Sequence, residues 1–114
     1  MKYFEESEFS NFEMMDSKLL SMLDDMREKY GYPIKITSSY RSPEHPIEAA
    51  KEQPGEHAYG AAVDIESVGG GKTFRLVKAA IEAGFTRIGI SRKRGFIHLG
   101  IGYSGAPDTT IWTY

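Results

Sequence analysis

The stretch Gly55-Glu56-His57-Ala58-Tyr59-Gly60-Ala61-Ala62-Val63-Asp64-Ile65 constrains this chain more than any other. It sets a histidine seven residues before an aspartate, and the aspartate sits in an apolar run that reads as a strand. Such a strand faces a core, where a lone carboxylate is costly unless it is paired or bound to a metal. A second histidine lies in another apolar run, Phe96-Ile97-His98-Leu99. Period-two alternation puts Ala62 and Asp64 on one face of the first strand, and Phe96, His98 and Gly100 on one face of the second. If the segments converge, His57, Asp64 and His98 form a three-ligand zinc site with an open fourth position, the catalytic rather than the structural arrangement. A buried Asp64–His98 hydrogen bond without metal satisfies the same spacing equally well.

The rest of the composition narrows the classes. A length of 114 residues is one domain, able to bury roughly two thirds of its unfolded surface. The net charge is -2, with basic residues scattered except for Arg92-Lys93-Arg94, which argues against a nucleic-acid partner. No apolar run is long enough to span a bilayer. The segment Met1-Lys2-Tyr3-Phe4-Glu5-Glu6 is acidic and has no apolar h-region, so no secretory signal is read there. There is no cysteine, which excludes disulfides and thiolate zinc sites and leaves His, Asp or Glu to hold any metal. The chain is expected to act as a monomer.

Along the chain, residues 1–15 read as an aromatic, acidic arm, with Phe4, Phe9 and Phe12 available to dock on the core. Leu19, Leu23, Met26 and Tyr30 make one helical stripe, capped by Asp16 or Ser17 and closed by Gly31. Pro33 to Tyr40 reads as a strand and 43–56 mainly as a long loop, with room for a short helix. Ala61 to Glu66 is the second strand. A helix is expected from about Lys72, with Phe74, Val77 and Ile81 as its stripe, Ala80 beside them and Gly84 just beyond its end. Three short strands follow, Thr86–Ser91, Gly95–Ile101 and Thr109–Tyr114, with Arg92 to Gly95 as a hairpin turn. The fold class is therefore α+β, a small and mostly antiparallel sheet with two main helices.

Arg41 ends a strand and begins the long loop, where functional groups are commonly displayed. Its guanidinium can grip a carboxylate through two parallel hydrogen bonds, or equally make a surface salt bridge. Ser38 and Ser39 read as strand-edge hydroxyls or as substrate contacts. The run Gly69-Gly70-Gly71-Lys72-Thr73 is no phosphate loop, because Glu66 stands where that motif needs its first glycine.

Several blocks occur in a recognisable order: Ser38-Ser39-Tyr40-Arg41-Ser42-Pro43-Glu44-His45, then His57 to Ile65, Ile88-Gly89-Ile90, Gly95-Phe96-Ile97-His98 and Ile111-Trp112-Thr113-Tyr114. Over about residues 34–114 the chain resembles the zinc D-Ala-D-Ala carboxypeptidase family of peptidoglycan peptidases. That family includes VanX-type dipeptidases and phage endolysins and shares its fold with the hedgehog signalling domain. The resemblance implies one Zn2+ on His57, Asp64 and His98, with Arg41 anchoring a substrate carboxylate or carbonyl. It implies peptidoglycan stem peptides as substrates, cut at bonds involving D-amino acids by carboxypeptidase or endopeptidase action. Family habit further implies a phage-encoded protein that reaches the wall through another protein or as a virion component.

The chain also departs from that pattern. Many members carry an acidic residue or histidine as general base a few positions before the last ligand, where this chain has Arg92, Lys93, Arg94, Gly95 and Phe96. Similar sequences tend to have an aspartate where Gly100 stands, and a serine where Gly55 stands. The general base is open among Glu56, Glu66, Glu44 and His45. The alternative function is a non-catalytic zinc-binding module recognising cell-wall peptide or a protein partner. A third is a structural virion component whose metal only holds the fold.

Overall fold

A five-stranded sheet in the order β1-β2-β4-β3-β5 organises the computed structural model, which describes residues 1–51, 55–103 and 108–114. Its strands are β1 (Ile36–Ser38), β2 (Ala62–Glu66), β3 (Arg87–Ser91), β4 (Phe96–Gly100) and β5 (Thr110–Thr113). All neighbours pair antiparallel except β3 and β5, which are parallel. The expected α+β class is borne out. Part of the expected loop 43–56, residues 52–54 including Pro54, lies outside the described residues.

Alternation divides the sheet into two working faces. Val63, Ile65, Ile88, Ile97 and Leu99 join the apolar core, together with Leu19, Leu23 and Met26 of helix α1 (Ser17–Tyr30) and Leu76, Ala79 and Ala80 of helix α3 (Gly70–Glu82). The opposite face carries one row across the sheet in register, Ser38, Asp64, His98, Gly89 and Trp112. The face that carries this row is thus backed by an apolar face anchored on two helices.

Helix α1 follows its sequence signals. The Asp16 side chain accepts from the backbone N–H groups of Lys18 and Leu19, and the helix ends at Gly31 in the left-handed conformation. Phe4 and Phe9 of the arm are buried in the core, and two 3-10 turns, Glu6–Glu8 and Phe12–Met14, carry them there.

Two expectations need correction. Strand β1 is three residues long rather than spanning 33–40, because its pairing with β2 shifts between Ile36 and Ser38 and the chain then leaves the sheet. Helix α3 begins at Gly70, and its packed face is Thr73, Leu76, Ala79 and Ala80. Phe74 and Ile81 of the expected stripe are exposed, at 69% and 58%, while Val77 packs partly buried against the core and Ala80 is fully buried. The expected and observed stripes have the same spacing but differ by one residue, a rotation of about 100°. Small Ala79 and Ala80 turned inward let α3 sit close to α1, and the bulky residues are left at the flank. No helix among the described residues is long and apolar enough to cross a membrane.

This correction is testable by urea unfolding. Leu76→Ala should cost about 2–5 kcal/mol, as expected for a buried leucine, whereas Phe74→Ala should change stability by less than about 0.5 kcal/mol.

Candidate metal centre

His57, Asp64 and His98 are all buried, and one ligand atom from each lies within 4.8 Å of the others. Asp64 and His98 face each other as paired residues of β2 and β4. His57 comes from the 3-10 turn Glu56–Tyr59 that feeds β2. That turn is tied to the segment after β1 in both directions. His57 Nδ1–H donates to the Ser39 carbonyl at 2.7 Å, and the Arg41 N–H donates to the His57 carbonyl at 3.1 Å.

These outer contacts decide which ring atoms point inward. With Nδ1 committed to Ser39, His57 offers Nε2, 3.3 Å from Asp64 Oδ1. His98 is turned the other way: Nε2 lies 2.8 Å from Glu56 Oε1, and Nδ1 lies 3.3 Å from the same Asp64 oxygen. Charge-assisted hydrogen bonds are shorter than this, about 2.7–2.9 Å. By contrast, a tetrahedral site with bonds of about 2.0–2.1 Å has ligand–ligand edges of about 3.3 Å. Two imidazoles and a carboxylate at that separation, each histidine fixed by a second acceptor, are a donor set suited to zinc.

The electrostatics agree. Burial pushes the Asp64 carboxyl up, but hydrogen bonds and charge from His57 and His98 outweigh it and hold Asp64 well below the usual carboxylate range. Burial pulls His98 down, yet Asp64 and then Glu56 draw its pKa above the ordinary histidine value. A metal at the cluster therefore competes with protons, and its affinity falls as pH falls.

A cleft of about 320 Å³ opens on the three ligands. Arg41 sits at its edge, with Nη2 3.3 Å from Asp64 Oδ2 and Nη1 3.5 Å from Glu48 Oε2. Glu48, on the short helix α2 (Pro46–Ala49), is fully buried. It also accepts from Lys51 Nζ at 2.9 Å and from the Gly55 N–H at 2.8 Å. Burial raises the Glu48 carboxyl, but Lys51, Gly55 and Arg41 reverse that and leave it lowered. Trp112 and Tyr114 of the β5 segment, with Phe96 and Tyr103, make the aromatic wall. Trp112 reaches His98, 5.2 Å between ring centroids, because Gly89 separates them in the row; a Cβ at Gly89 would come within 2.6 Å of the indole.

The other residues singled out from sequence fall elsewhere. Ser39 is buried and its hydroxyl bonds Ser10 of the arm, so it contributes a carbonyl to His57 rather than a hydroxyl to the cleft. Glu66 faces Lys35 and Lys72 at the far end of β2. His45 caps α2 through Nδ1, and both it and Glu44 are exposed and outside the cleft. Of the four base candidates only Glu56 touches a ligand, and it does so on the side of His98 turned away from Asp64. Sequence reasoning missed Glu48, Arg87 and the part played by Trp112. The spacing of Arg41, Glu48 and Lys51 along the chain carries no signal of its own, and Arg87 becomes relevant only through strand pairing.

The Glu48 cluster gives a pH-dependent expectation. A carboxyl lowered in the folded state contributes stability above its unfolded pKa, and loses it as pH falls through the folded value. Glu48→Gln should therefore cost about 1–3 kcal/mol at neutral pH. In urea unfolding at stepped pH, the gap to the parent protein should narrow below about pH 4.3.

No curated protein matches the chain. The family model described as Peptidase M15 matches residues 4–100, a span that starts in the arm, contains all three candidate ligands and stops at the end of β4. The chain thus belongs to the peptidase M15 family, the zinc D-Ala-D-Ala carboxypeptidase-like peptidases.

Proposed function

We propose that this protein is a zinc metallopeptidase that hydrolyses peptide bonds involving D-amino acids in peptidoglycan stem peptides. The observation that carries the reading is the meeting of His57 Nε2, Asp64 Oδ1 and His98 Nδ1 on the floor of an open cleft, with the Arg41 guanidinium beside them. Zinc held by those three atoms would supply Lewis-acid polarisation of a scissile carbonyl and an activated water at neutral pH.

The remaining residues bind and orient. Among the described residues the cleft is lined by Arg41, Lys51, Arg87 and Arg94 and by the carboxylates Glu56 and Asp64, with Glu48 pairing Arg41 and Lys51 from behind. This basic lining favours a substrate carrying a carboxylate, and Arg41 has the planar donor fork to hold one. Glu48 and Asp64 brace the guanidinium from two sides, so that it approaches a substrate already oriented. Phe96, Tyr103, Trp112 and Tyr114 offer apolar surface against which small side chains of a stem peptide can pack and from which water is excluded.

One observation favours a second reading, a non-catalytic zinc-binding module that recognises cell-wall peptide. Among the described lining residues, both carboxylates are already engaged, Asp64 as a ligand and Glu56 on His98, and no other histidine lines the cleft. Turnover separates the two readings.

Metal analysis of the purified protein should find about one zinc per chain, and His98→Ala should lose it. With purified muropeptides, mass spectrometry should detect released D-alanine or split stems. Arg41→Ala should keep its zinc and lose cleavage by 100-fold or more, roughly the loss of a positioned charged contact. Zinc-loaded parent protein that binds muropeptides without cutting them would establish the second reading instead.

A further inference from the structure

Glu56 has a position that neither the ligand set nor the cleft requires. It immediately precedes His57 in sequence, yet its side chain reaches across to His98 on β4, with Oε1 2.8 Å from Nε2. Its second oxygen accepts from the Gly102 N–H at 2.9 Å, and Arg87 Nε lies 2.8 Å from Oε1. The residue is only 4% exposed. The space it fills exists because residue 100 is glycine. A Cβ on Gly100 would stand 2.5 Å from Glu56 Cδ and Oε1, and closer still to Oε2. Gly100 follows His98 by two residues on the same face of β4, so residue 100 and the Glu56 carboxylate compete for one volume.

We infer that Glu56 is a positioning residue for the metal centre, fixing the His98 tautomer through Nε2–H, and that Gly100 is the residue that admits it. A carboxylate only accepts, so His98 must place its proton on Nε2 and leave the Nδ1 lone pair for the metal. The opposite tautomer would point a proton at Asp64 and the metal position. Arg87 and the Gly102 N–H hold the carboxylate in place, which makes the orientation a property of the fold rather than of the ion. This argues against Glu56 as general base, since it bonds His98 on the side turned away from Asp64 and both of its oxygens already accept hydrogen bonds. The same geometry predicts interchangeability: an aspartate at 100 would bring a carboxylate into the volume Glu56 now occupies, provided Glu56 is gone.

The inference rests on the metal reading above, and the test keeps the two apart. Zinc affinity is measured by competition with a chromogenic chelator for the parent, Glu56→Gly, Gly100→Asp and the double variant that combines them. Circular dichroism melts accompany each. Glu56→Gly should weaken zinc by about 10–100-fold, the usual effect of removing an outer partner of a ligating histidine. Gly100→Asp alone should also weaken it, because two carboxylates then contend for one space. The double variant should recover most of the loss, a non-additive result that a merely structural role does not produce. Long-range 15N–1H spectra of the zinc-loaded parent should show the His98 proton on Nε2 and need no variant to fold. Parent protein that takes up no zinc ends the metal reading and this inference with it. Parent protein that binds zinc, with Glu56→Gly equally tight or the His98 proton on Nδ1, overturns this inference alone.

Discussion

One buried carboxylate oxygen, Asp64 Oδ1, faces a nitrogen from each of two histidines at 3.3 Å, and the sheet is arranged around that meeting. An isolated carboxylate at that depth would cost several kcal/mol. Here His57, His98 and Arg41 surround it, each brought by a different segment of chain. The pairing of β2 with β4 puts Asp64 opposite His98. The turn before β2 brings His57 back over the strand. The departure of the chain from β1 after three residues sends Ser39 and Arg41 to meet that turn. A β1 that continued to residue 40 would leave the Ser39 carbonyl in the strand ladder and His57 without its outer acceptor.

A second layer of contacts sets what the first can do. Ser39 and Glu56 each take one nitrogen of a ligand histidine and so leave the other free to point inward. Glu48 has no contact with the ligands, but it braces the guanidinium that does. The result, among the described residues, is a cleft whose charges are mostly paired within the protein: carboxylates bound to histidines and arginines at the floor, basic side chains at the walls. Such a site needs little reorganisation on binding, which is where a preorganised centre gains over a flexible one. Trp112 leaning across Gly89 closes one side with apolar surface, at the cost of allowing no side chain there.

Much of this was legible in sequence, and the reasons are specific. His57, Asp64 and His98 stood out because polar ligand types in apolar strands demand an explanation. Helix α1 was readable from Asp16, the Leu19–Leu23–Met26 stripe and Gly31, since cap chemistry and periodicity agreed. Helix α3 was readable as a helix but not in its orientation. Two stripes of equal spacing lay one residue apart, and only the close approach of α1 chooses the small one. Glu48 was hidden because its partners lie on a loop and its burial is a tertiary fact. Gly100 was visible as a departure from similar sequences. Its meaning required seeing Glu56 in the space beside it.

The central claim is that two imidazoles and one carboxylate, oriented by outer contacts, hold a single zinc ion and leave a fourth position open. X-ray absorption of the zinc-loaded protein in solution tests this most directly. The predicted spectrum is that of four-coordinate zinc with nitrogen and oxygen neighbours at about 2.0–2.1 Å, including the outer-shell scattering of two imidazoles. A six-coordinate, all-oxygen environment without imidazole scattering would contradict it.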